Sequence, residues 1–406
     1  MKVEKASVWA ISVASIATLL LATGCGGGGG GTDTPPFGVP SGPNVQAISV
    51  EPGPANNVNL LFTSVTICAP GNSSNCQTID HVLVDTGSTG LRIMSSVLSP
   101  LLSLPQQLGA GGNPVAECGH FASGFTWGPV KLADVRMAGE EAGSVPIQVI
   151  GDPAFSTVPA GCSGVGPPLN TVQDLGANGL LGVGLFQADC GPACASGASI
   201  PPVYFTCPSA VCQPTLISLT QQVQNPVGMF LRDNNGVIIA LPSVPAAGAR
   251  SLTGALVFGI GTQGNNGLGN SQVIPVNPNN GTFTTVLNQR SYGTSFTDSG
   301  SNALFFDSGI AVCGTFVGFY CPASTQNLSA TIQGTSGPPS TVNFRVANAQ
   351  SLFTANPTFA VFGNLAGPMS NPTSFDWGLP FFFGRNVFTA IEGQNTPAGP
   401  GPYVAF

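Results

Sequence analysis

Residues 83–91 read LVDTGSTGL, and residues 296–304 read FTDSGSNAL. Both stretches contain, in order, an Asp, a hydroxyl residue, Gly, Ser, a polar residue, a small residue and Leu. A single Asp-Ser/Thr-Gly-Ser match is a weak signal in a chain with 55 Gly residues. Two matches with similar flanks, in opposite halves of the chain, indicate two similar lobes of about 180 residues each.

The two motifs permit a specific chemistry. Carboxylates about 3 Å apart cannot both ionise cheaply, so they share one proton and titrate as a unit. One carboxylate can then activate a water while the other donates a proton to a carbonyl oxygen. Asp85 and Asp298 are therefore the candidate catalytic pair. Gly87 and Gly300 allow the backbone to turn tightly beneath them.

The composition favours an all-β chain. Only 7% of the 406 residues are charged, against about 25% in typical soluble domains. The 55 Gly and 36 Pro residues disfavour long helices and suit many short strands joined by turns. The net charge of −7 argues against a nucleic-acid partner, and two His residues exclude a His-rich metal centre. The sequence has no nucleotide, haem or zinc motif, so we expect neither a cofactor nor a metal.

The chain offers several strand candidates. Alternating or short apolar runs predict strands at residues 58–68, 81–84, 130–137, 145–150, 179–185, 255–260 and 283–287. Residues 216–224 are the best helix candidate, stopped by Asn225 and Pro226. A hairpin is predicted for residues 227–231 and 237–241, and an apolar strand pair for residues 381–391.

The first residues resemble a targeting signal rather than part of the fold. Lys2 and Lys5 precede an apolar run that ends in small residues before Cys25, which resembles a bacterial lipoprotein signal. The resemblance implies cleavage of residues 1–24 and acylation of the Cys25 thiol; a plain membrane anchor or secretory signal is the alternative. Residues 25–44 then form a Gly- and Pro-rich tether. Gly26 follows Cys25 directly, and a Gly at this position resembles the signal of lipoproteins that are sorted to the outer membrane. We therefore expect a lipid-anchored protein of the cell envelope.

The remaining cysteines number ten, an even count that predicts up to five disulfides in an exported chain. Cys68 with Cys76, and Cys313 with Cys321, would close short loops. The four cysteines between residues 190 and 212 are expected to pair among themselves, with open connectivity. A zinc cluster formed by these four is the competing interpretation.

With these motifs in view, the chain resembles the pepsin-like aspartic peptidases, and more closely a bacterial family of exported proteins of unknown function built on the same plan. The resemblance spans most of residues 45–406. It implies a two-lobed barrel fold, with an N-terminal lobe at 45–225 and a C-terminal lobe at 226–406. It identifies Asp85 and Asp298 as the catalytic pair.

The same resemblance assigns supporting roles. The hydroxyls of Thr86 and Ser299 match the positions that lock the two loops together, and Ser88 and Ser301 match those that bond the outer carboxylate oxygens. Residues 179–184 (GLLGVG) resemble the Gly signature that packs under the first Asp loop. Residues 377–383 (WGLPFFF) resemble its partner in the second lobe.

The expected flap departs from the family pattern. Phe121 matches the position of a flap Tyr, and Arg92 matches the Trp that usually bonds that Tyr. We therefore expect a rebuilt cleft, with His120, Phe121, Ser123 and Arg92 as flap or substrate residues. His120 could equally be a surface turn residue, and Trp127 is more consistent with packing. Arg92 could select an acidic substrate group or lower a carboxylate pKa; the alternative is a plain surface ion pair.

Asp307 is a second candidate for the C-terminal acid, because residues 304–309 read LFFDSG. This copy has Ile310 where the fourth-position hydroxyl should be, and it lacks the flanking pattern of the first motif. The sequence therefore favours Asp298, with Asp307 as a turn residue before the Cys313 loop.

Three functions remain open at the level of sequence. The first is a membrane-anchored aspartic endopeptidase that acts on peptide or protein substrates as a monomer. The second is a catalytically silent surface lipoprotein that binds a peptide or polymer. The third keeps the two Asp residues only as a structural pair between lobes. Asp-Gly turns in an unrelated β sandwich are the alternative to the whole motif argument.

Overall fold

The computed structural model describes residues 38–197, 201–209 and 211–406, and in these the chain is all-β. The strands of the first half are β1 (Val45–Glu51), β2 (Leu60–Cys68), β3 (Cys76–Asp85), β4 (Thr89–Met94), β5 (Val115–Phe121), β6 (Gly124–Met137), β7 (Glu140–Ile150), β8 (Gly179–Val183), β9 (Tyr204–Thr206) and β10 (Gln213–Pro214). Those of the second half are β11 (Gly236–Leu241), β12 (Leu252–Phe258), β13 (Val273–Pro275), β14 (Phe283–Leu287), β15 (Arg290–Asp298), β16 (Leu304–Phe306), β17 (Gln326–Gln333), β18 (Ser340–Val346), β19 (Ala366–Gly367), β20 (Phe375–Gly378), β21 (Arg385–Ala390), β22 (Asn395–Thr396), β23 (Gly399–Pro400) and β24 (Tyr403–Ala405).

Helices are few and short in the described residues, as the Gly and Pro content predicts. The α-helices are α1 (Ala160–Ser163), α2 (Val172–Leu175), α3 (Pro192–Ser196) and α4 (Ala349–Ala355). Single 3₁₀ turns occur at Ser95–Val97, Ala110–Gly112, Pro153–Phe155, Leu219–Gln221, Val227–Met229 and Leu379–Phe381. None of the described helices is long and apolar enough to cross a membrane.

Two large sheets organise the chain. The first has fifteen strands in the order β10-β9-β5-β6-β7-β4-β8-β3-β2-β1-β12-β11-β21-β24-β13, and an additional β6–β2 pairing gives it a barrel-like shape. The second has seven strands in the order β18-β17-β14-β15-β20-β16-β19. Strands β22 and β23 form a separate pair. The larger sheet crosses the predicted lobe boundary at residue 225, since β1 pairs with β12 from Val45↔Val257 to Val50↔Leu252.

The strands that carry the Asp motifs have the same connections in both sheets. Strand β3 ends at Asp85 and pairs in parallel with β8, which pairs antiparallel with β4, the strand that follows the loop. Strand β15 ends at Asp298 and pairs in parallel with β20, which pairs antiparallel with β16. The sequence repeat therefore corresponds to a structural repeat, and the Gly-containing strands β8 and β20 lie beside the Asp loops as expected.

The core explains why these central strands are apolar throughout. Every residue of β4, β8 and β20 is buried, so their side chains are covered on both faces. The second sheet packs many aromatic rings: Phe375 stacks on Phe306 at 4.6 Å and on Trp377 at 4.3 Å between ring centroids. These tightly packed strands give the Asp loops a rigid base.

Five disulfides are present: Cys68–Cys76, Cys118–Cys162, Cys190–Cys194, Cys207–Cys212 and Cys313–Cys321. The predicted short-loop pairs are confirmed, and the four cysteines between 190 and 212 do pair among themselves. The zinc interpretation of those four is wrong, because disulfide sulfurs carry no thiolate for a metal.

Three secondary-structure predictions are wrong. Residues 216–224 form only a 3₁₀ turn, because Gln222 and Gln224 turn their side-chain amides onto backbone carbonyls at 2.8 and 2.7 Å. Residues 227–231 are not a strand: the Asn225 side chain accepts from the Val227 N–H at 3.1 Å and starts a 3₁₀ turn. The expected strand pair at 381–391 is a 3₁₀ turn followed by β21, which pairs with β11 and β24 instead.

Some predictions fall outside the described residues. These are the signal segment 1–24, Cys25 as the lipidation site, and the tether as far as residue 37.

Candidate active site

The first Asp loop holds its carboxylate by hydrogen bonds from its own residues. Asp85 is the last residue of β3 and is 6% exposed. The Gly87 N–H donates to Asp85 Oδ1 at 2.8 Å, and the Ser88 hydroxyl donates to Oδ2 at 2.5 Å. Both carboxylate oxygens are thus fixed, so the carboxyl group cannot rotate freely.

The second loop repeats this arrangement. Asp298 ends β15, and its Oδ1 accepts from the N–H groups of Gly300 at 2.7 Å and Ser301 at 3.2 Å. The Ser301 hydroxyl donates to Asp298 Oδ2 at 2.9 Å. The roles predicted for Ser88 and Ser301 are therefore present in the geometry.

Reciprocal hydrogen bonds join the two loops. The Ser299 N–H donates to Thr86 Oγ1 at 3.0 Å, and the Thr86 N–H donates to Ser299 Oγ at 3.1 Å. The Ser299 hydroxyl also donates to the carbonyl of Val84 at 2.8 Å. All of these groups are buried, and leaving one unsatisfied would cost about 1–3 kcal/mol. Thr86 and Ser299 thus hydrogen-bond the two loops to each other.

The two carboxyl groups face each other across this lock. A Cβ built on Gly87 would lie 2.6 Å from Asp298 Cγ, and one on Gly300 would lie 2.8 Å from Asp85 Cγ. Each glycine therefore makes room for the acid of the opposite loop. The Asp85 and Asp298 carboxyls lie within hydrogen-bonding reach of each other.

The electrostatics of the pair favour a retained proton. Burial raises the pKa of Asp298 well above its usual range, and the nearby charge of Asp85 raises this pKa further. The hydrogen bond from Ser301 opposes the shift. The pair can thus hold one proton between two carboxyls, the state needed for combined acid and base chemistry.

Asp307, the alternative second acid, lies elsewhere. It follows β16 and pairs with Arg290 at 2.6 Å, with both side chains about 40% exposed (40% for Arg290 and 43% for Asp307). Its carbonyl accepts from the Tyr292 hydroxyl at 2.6 Å. The structure therefore brings Asp298 to Asp85 and leaves Asp307 in an irregular segment after β16, in line with its missing fourth-position hydroxyl.

The predicted flap is a hairpin of β5 and β6 with a two-residue turn at Ala122 and Ser123. Phe121 packs against an apolar cluster of the β3 region that includes Phe62 and Leu83, and the Arg92 guanidinium lies 5.5 Å from its ring centroid. The two positions that depart from the family pattern are thus in contact with each other.

Arg92 is neither a surface ion pair nor a free substrate-binding cation, so these two interpretations are wrong, whereas its expected effect of lowering a carboxylate pKa acts on Asp189, against the larger effect of burial. It is 3% exposed, and its Nη2 contacts Glu117 Oε1 at 2.5 Å and Asp189 Oδ2 at 3.1 Å. Its Nη1 donates to the carbonyl of Thr89 at 2.7 Å. Strands β4 and β5 bring the Arg92 guanidinium together with Glu117, so the guanidinium is already paired inside this buried cluster.

The other two predicted flap residues, His120 and Ser123, lie at or near the surface of the hairpin. His120 is exposed and pairs with Phe125 in the hairpin, and Ser123 lies partly buried in the turn. Among the described hydrogen bonds, none joins either side chain to Asp85 or Asp298. Trp127 is fully buried and donates its indole N–H to the carbonyl of Phe155 at 2.7 Å, which confirms its packing role.

Comparison with known families places the chain. A family model described as "Protein of unknown function (DUF3443)" matches residues 40–406. The chain belongs to the DUF3443 family. No curated protein matches it. Membership spans nearly all of the described residues, so the Asp loops, the flap hairpin and the Arg92 cluster all lie inside the matched region.

Sequence reasoning missed several buried acids of this DUF3443 chain. Glu117 and Asp189 were found only as partners of Arg92, together with Tyr204, whose hydroxyl donates to Asp189 Oδ1 at 2.5 Å. Asp376 was missed because the motif considered began at Trp377. A carboxylate inside the apolar strand Phe375–Gly378 was the signal that could have revealed it.

In the described ranges, no group of three or more His, Cys, Asp or Glu residues is arranged to hold a metal ion.

Proposed function

We propose that this protein is an aspartic endopeptidase with a two-lobed, pepsin-like fold, acting through Asp85 and Asp298. The observation that carries the proposal is the pair of matching Asp loops whose carboxyls face each other, locked by Thr86 and Ser299. The doubled strand connections around the loops support the fold part of the proposal.

The mechanism follows from the shared proton. Because the pKa of Asp298 is raised by burial, the proton resides on Asp298 and Asp85 acts as the base. Asp85 takes a proton from a water as its oxygen attacks the peptide carbonyl carbon, and Asp298 gives its proton to the carbonyl oxygen. The resulting diol breaks its C–N bond as the nitrogen takes the proton held by Asp85 and a diol hydroxyl returns a proton to Asp298, so the two acids regain their starting state.

Cleavage of a mixed peptide library by the purified protein, with its disulfides intact, tests the proposal. We expect cleavage at acidic pH that falls as the pH rises through the raised pKa of Asp298, since the proton donated to the carbonyl is then lost. This loss of cleavage should occur at a pH above the ordinary carboxyl pKa of about 4. Cleavage that increases steadily towards alkaline pH would contradict the assignment.

A binding role is the second candidate, and the flap favours it. Phe121 carries no hydroxyl, and the Arg92 guanidinium beside its ring is already paired with Glu117 and Asp189. If the folded wild-type protein cleaves no peptide at any pH, a peptide or polymer ligand bound near the flap becomes the better proposal.

We also propose that the protein is held at the outer membrane by a lipid on Cys25, acting there as a monomer. The small residues before Cys25 and the Gly26 that follows it support this. The variant Cys25→Ala should move the protein from the membrane fraction to the soluble fraction of cells, because it removes the acylated thiol. Thr23→Ser keeps a small residue before the Cys and should leave the protein in the membrane; equal partitioning of both variants would contradict the anchor.

A further inference from the structure

A third carboxyl group lies beside the Asp pair. Asp376 is on β20, where every residue is buried, and is itself 4% exposed. Its Oδ1 is buried and has no hydrogen-bond partner among the described residues. A buried carboxylate with an unsatisfied oxygen is costly, so its presence in an otherwise apolar strand needs a physical reason.

The strand register directs Asp376 towards the active site. In the parallel β15–β20 pair, Phe296 lies opposite Asp376 and Asp298 lies opposite Gly378. Residues two apart on a strand share a face, so the Asp298 and Asp376 side chains project from the same face as diagonal neighbours. Gly378 has no side chain to separate them.

The first loop lacks this feature. There Asp85 lies opposite Gly182, so the residue equivalent to Asp376 is Leu180, which is buried among Phe62 and Leu83. The repeat is otherwise closely matched, and only the Asp298 side carries the additional acid. The carboxyl group is therefore not required by the strand arrangement itself.

Ser301 connects Asp376 to the pair. The Ser301 hydroxyl donates to Asp298 Oδ2 at 2.9 Å, and the same hydroxyl acts to lower the pKa of the neighbouring Asp376 carboxyl. A hydroxyl has one hydrogen, so two ionised carboxylates would compete for it. The competition disappears if Asp376 is protonated, because its O–H can then donate to Ser301 Oγ while Ser301 donates to Asp298.

We propose that Asp376 is a protonated positioning residue that orients the Ser301 hydroxyl onto Asp298. Its consequence for catalysis rests on the proposed peptidase function, whereas its protonation does not. The relay runs from the Asp376 O–H to Ser301 Oγ and from the Ser301 O–H to Asp298 Oδ2. It keeps the outer oxygen of Asp298 bonded without adding a second negative charge to the site.

The charged surroundings agree with this assignment. The ionisable groups that face Asp376 are Asp85 at the end of β3 and Asp298 at the end of β15. In the described part of the chain no ion pair links Asp376 to a Lys, Arg or His. Burial raises the pKa of Asp376 well above its usual range, the charge of Asp85 raises it further, and Ser301 opposes the shift.

The raised pKa has a defined sign in the unfolding equilibrium. The folded state prefers protonated Asp376. The stabilisation from that proton is therefore fully present below the pKa that Asp376 has in the unfolded state, about 3.9. It is lost as the pH rises through the higher pKa of the folded state. Asn does not titrate, so Asp376→Asn should gain stability relative to the wild type as the pH rises from acidic to neutral.

Two variants separate the roles. Asp376→Asn keeps a neutral donor to Ser301, whereas Asp376→Leu copies Leu180 of the first loop and removes the donor. We expect Asp376→Leu to lower kcat about tenfold or more with little change in KM, and Asp376→Asn to recover most of that loss. Urea unfolding of the wild type and Asp376→Asn at acidic and neutral pH gives the second readout, with Asp307→Asn as the exposed control.

The outcomes are distinct. Equal loss of kcat in both variants would overturn the positioning role. An unfolding difference between wild type and Asp376→Asn that is the same at both pH values would overturn the proton on Asp376. A folded wild type without any peptidase activity would sink the proposed function instead, and the unfolding data would still decide whether Asp376 is protonated.

Discussion

Asp298→Asn is expected to lower kcat for peptide cleavage by about a thousandfold or more, with little change in KM. The amide preserves the shape of the side chain and can still bond with Gly300 and Ser301, so the loop should keep its structure. It cannot give up the proton that the carbonyl oxygen must receive. Rates measured on one peptide from the cleaved library, at the pH of greatest activity, check this result.

Asp307→Asn is the matched control for this experiment. It changes the same residue type in a second Asp-Ser-Gly sequence, but Asp307 is partly exposed and paired with Arg290 away from Asp85. Its activity should stay close to that of the wild type. Undiminished cleavage by Asp298→Asn, or a comparable loss in Asp307→Asn, would contradict the assignment of the second acid.

Arg92→Met is expected to destabilise the protein by about 3–5 kcal/mol, because it leaves Glu117 and Asp189 buried without their cation. Glu117 is fully buried, and burial together with the charge of Glu117 raises the pKa of Asp189 well above its usual range. Arg92 opposes that shift, so removing it makes the ionised cluster still less favourable. Urea unfolding at neutral pH measures the loss.

The control for this prediction is Arg136→Met, which breaks a partly exposed pair with Glu141 at 2.9 Å. Such a pair contributes about 1 kcal/mol or less. A variant that combines Arg92→Met with Glu117→Gln and Asp189→Asn should recover part of the lost stability, because no uncompensated charge remains. If Arg92→Met and Arg136→Met lost equal amounts of free energy of unfolding, the buried cluster would not need its cation for stability.

The Arg92 cluster also has a bearing on the flap. It connects β4, which follows the Asp85 loop, with β5 of the flap hairpin through Glu117. Phe121 rests against the same guanidinium. The cluster thus links the base of the β5–β6 hairpin to the strand that follows the Asp85 loop.

Features whose signals are local in the chain can be predicted from the sequence. The Asp loops were found because a turn beneath a carboxylate needs Gly and hydroxyl residues at fixed offsets. The Cys68–Cys76 and Cys313–Cys321 disulfides were predicted because their short spacing gives each sulfur few alternatives. The all-β class followed from a Gly- and Pro-rich composition that cannot support long helices.

Which of these residues come into contact depends on long-range packing and could not be predicted from the sequence. Asp298 rather than Asp307 faces Asp85 because β15, and not β16, ends at the interloop lock. Arg92 was misjudged because its burial depends on β5 and the Asp189 segment, which are distant in sequence. The role that we propose for Asp376 depends on the register that sets it opposite Phe296. Burial and strand register depend on long-range packing, and a charged residue carries no local mark of whether its neighbours will be water or another acid.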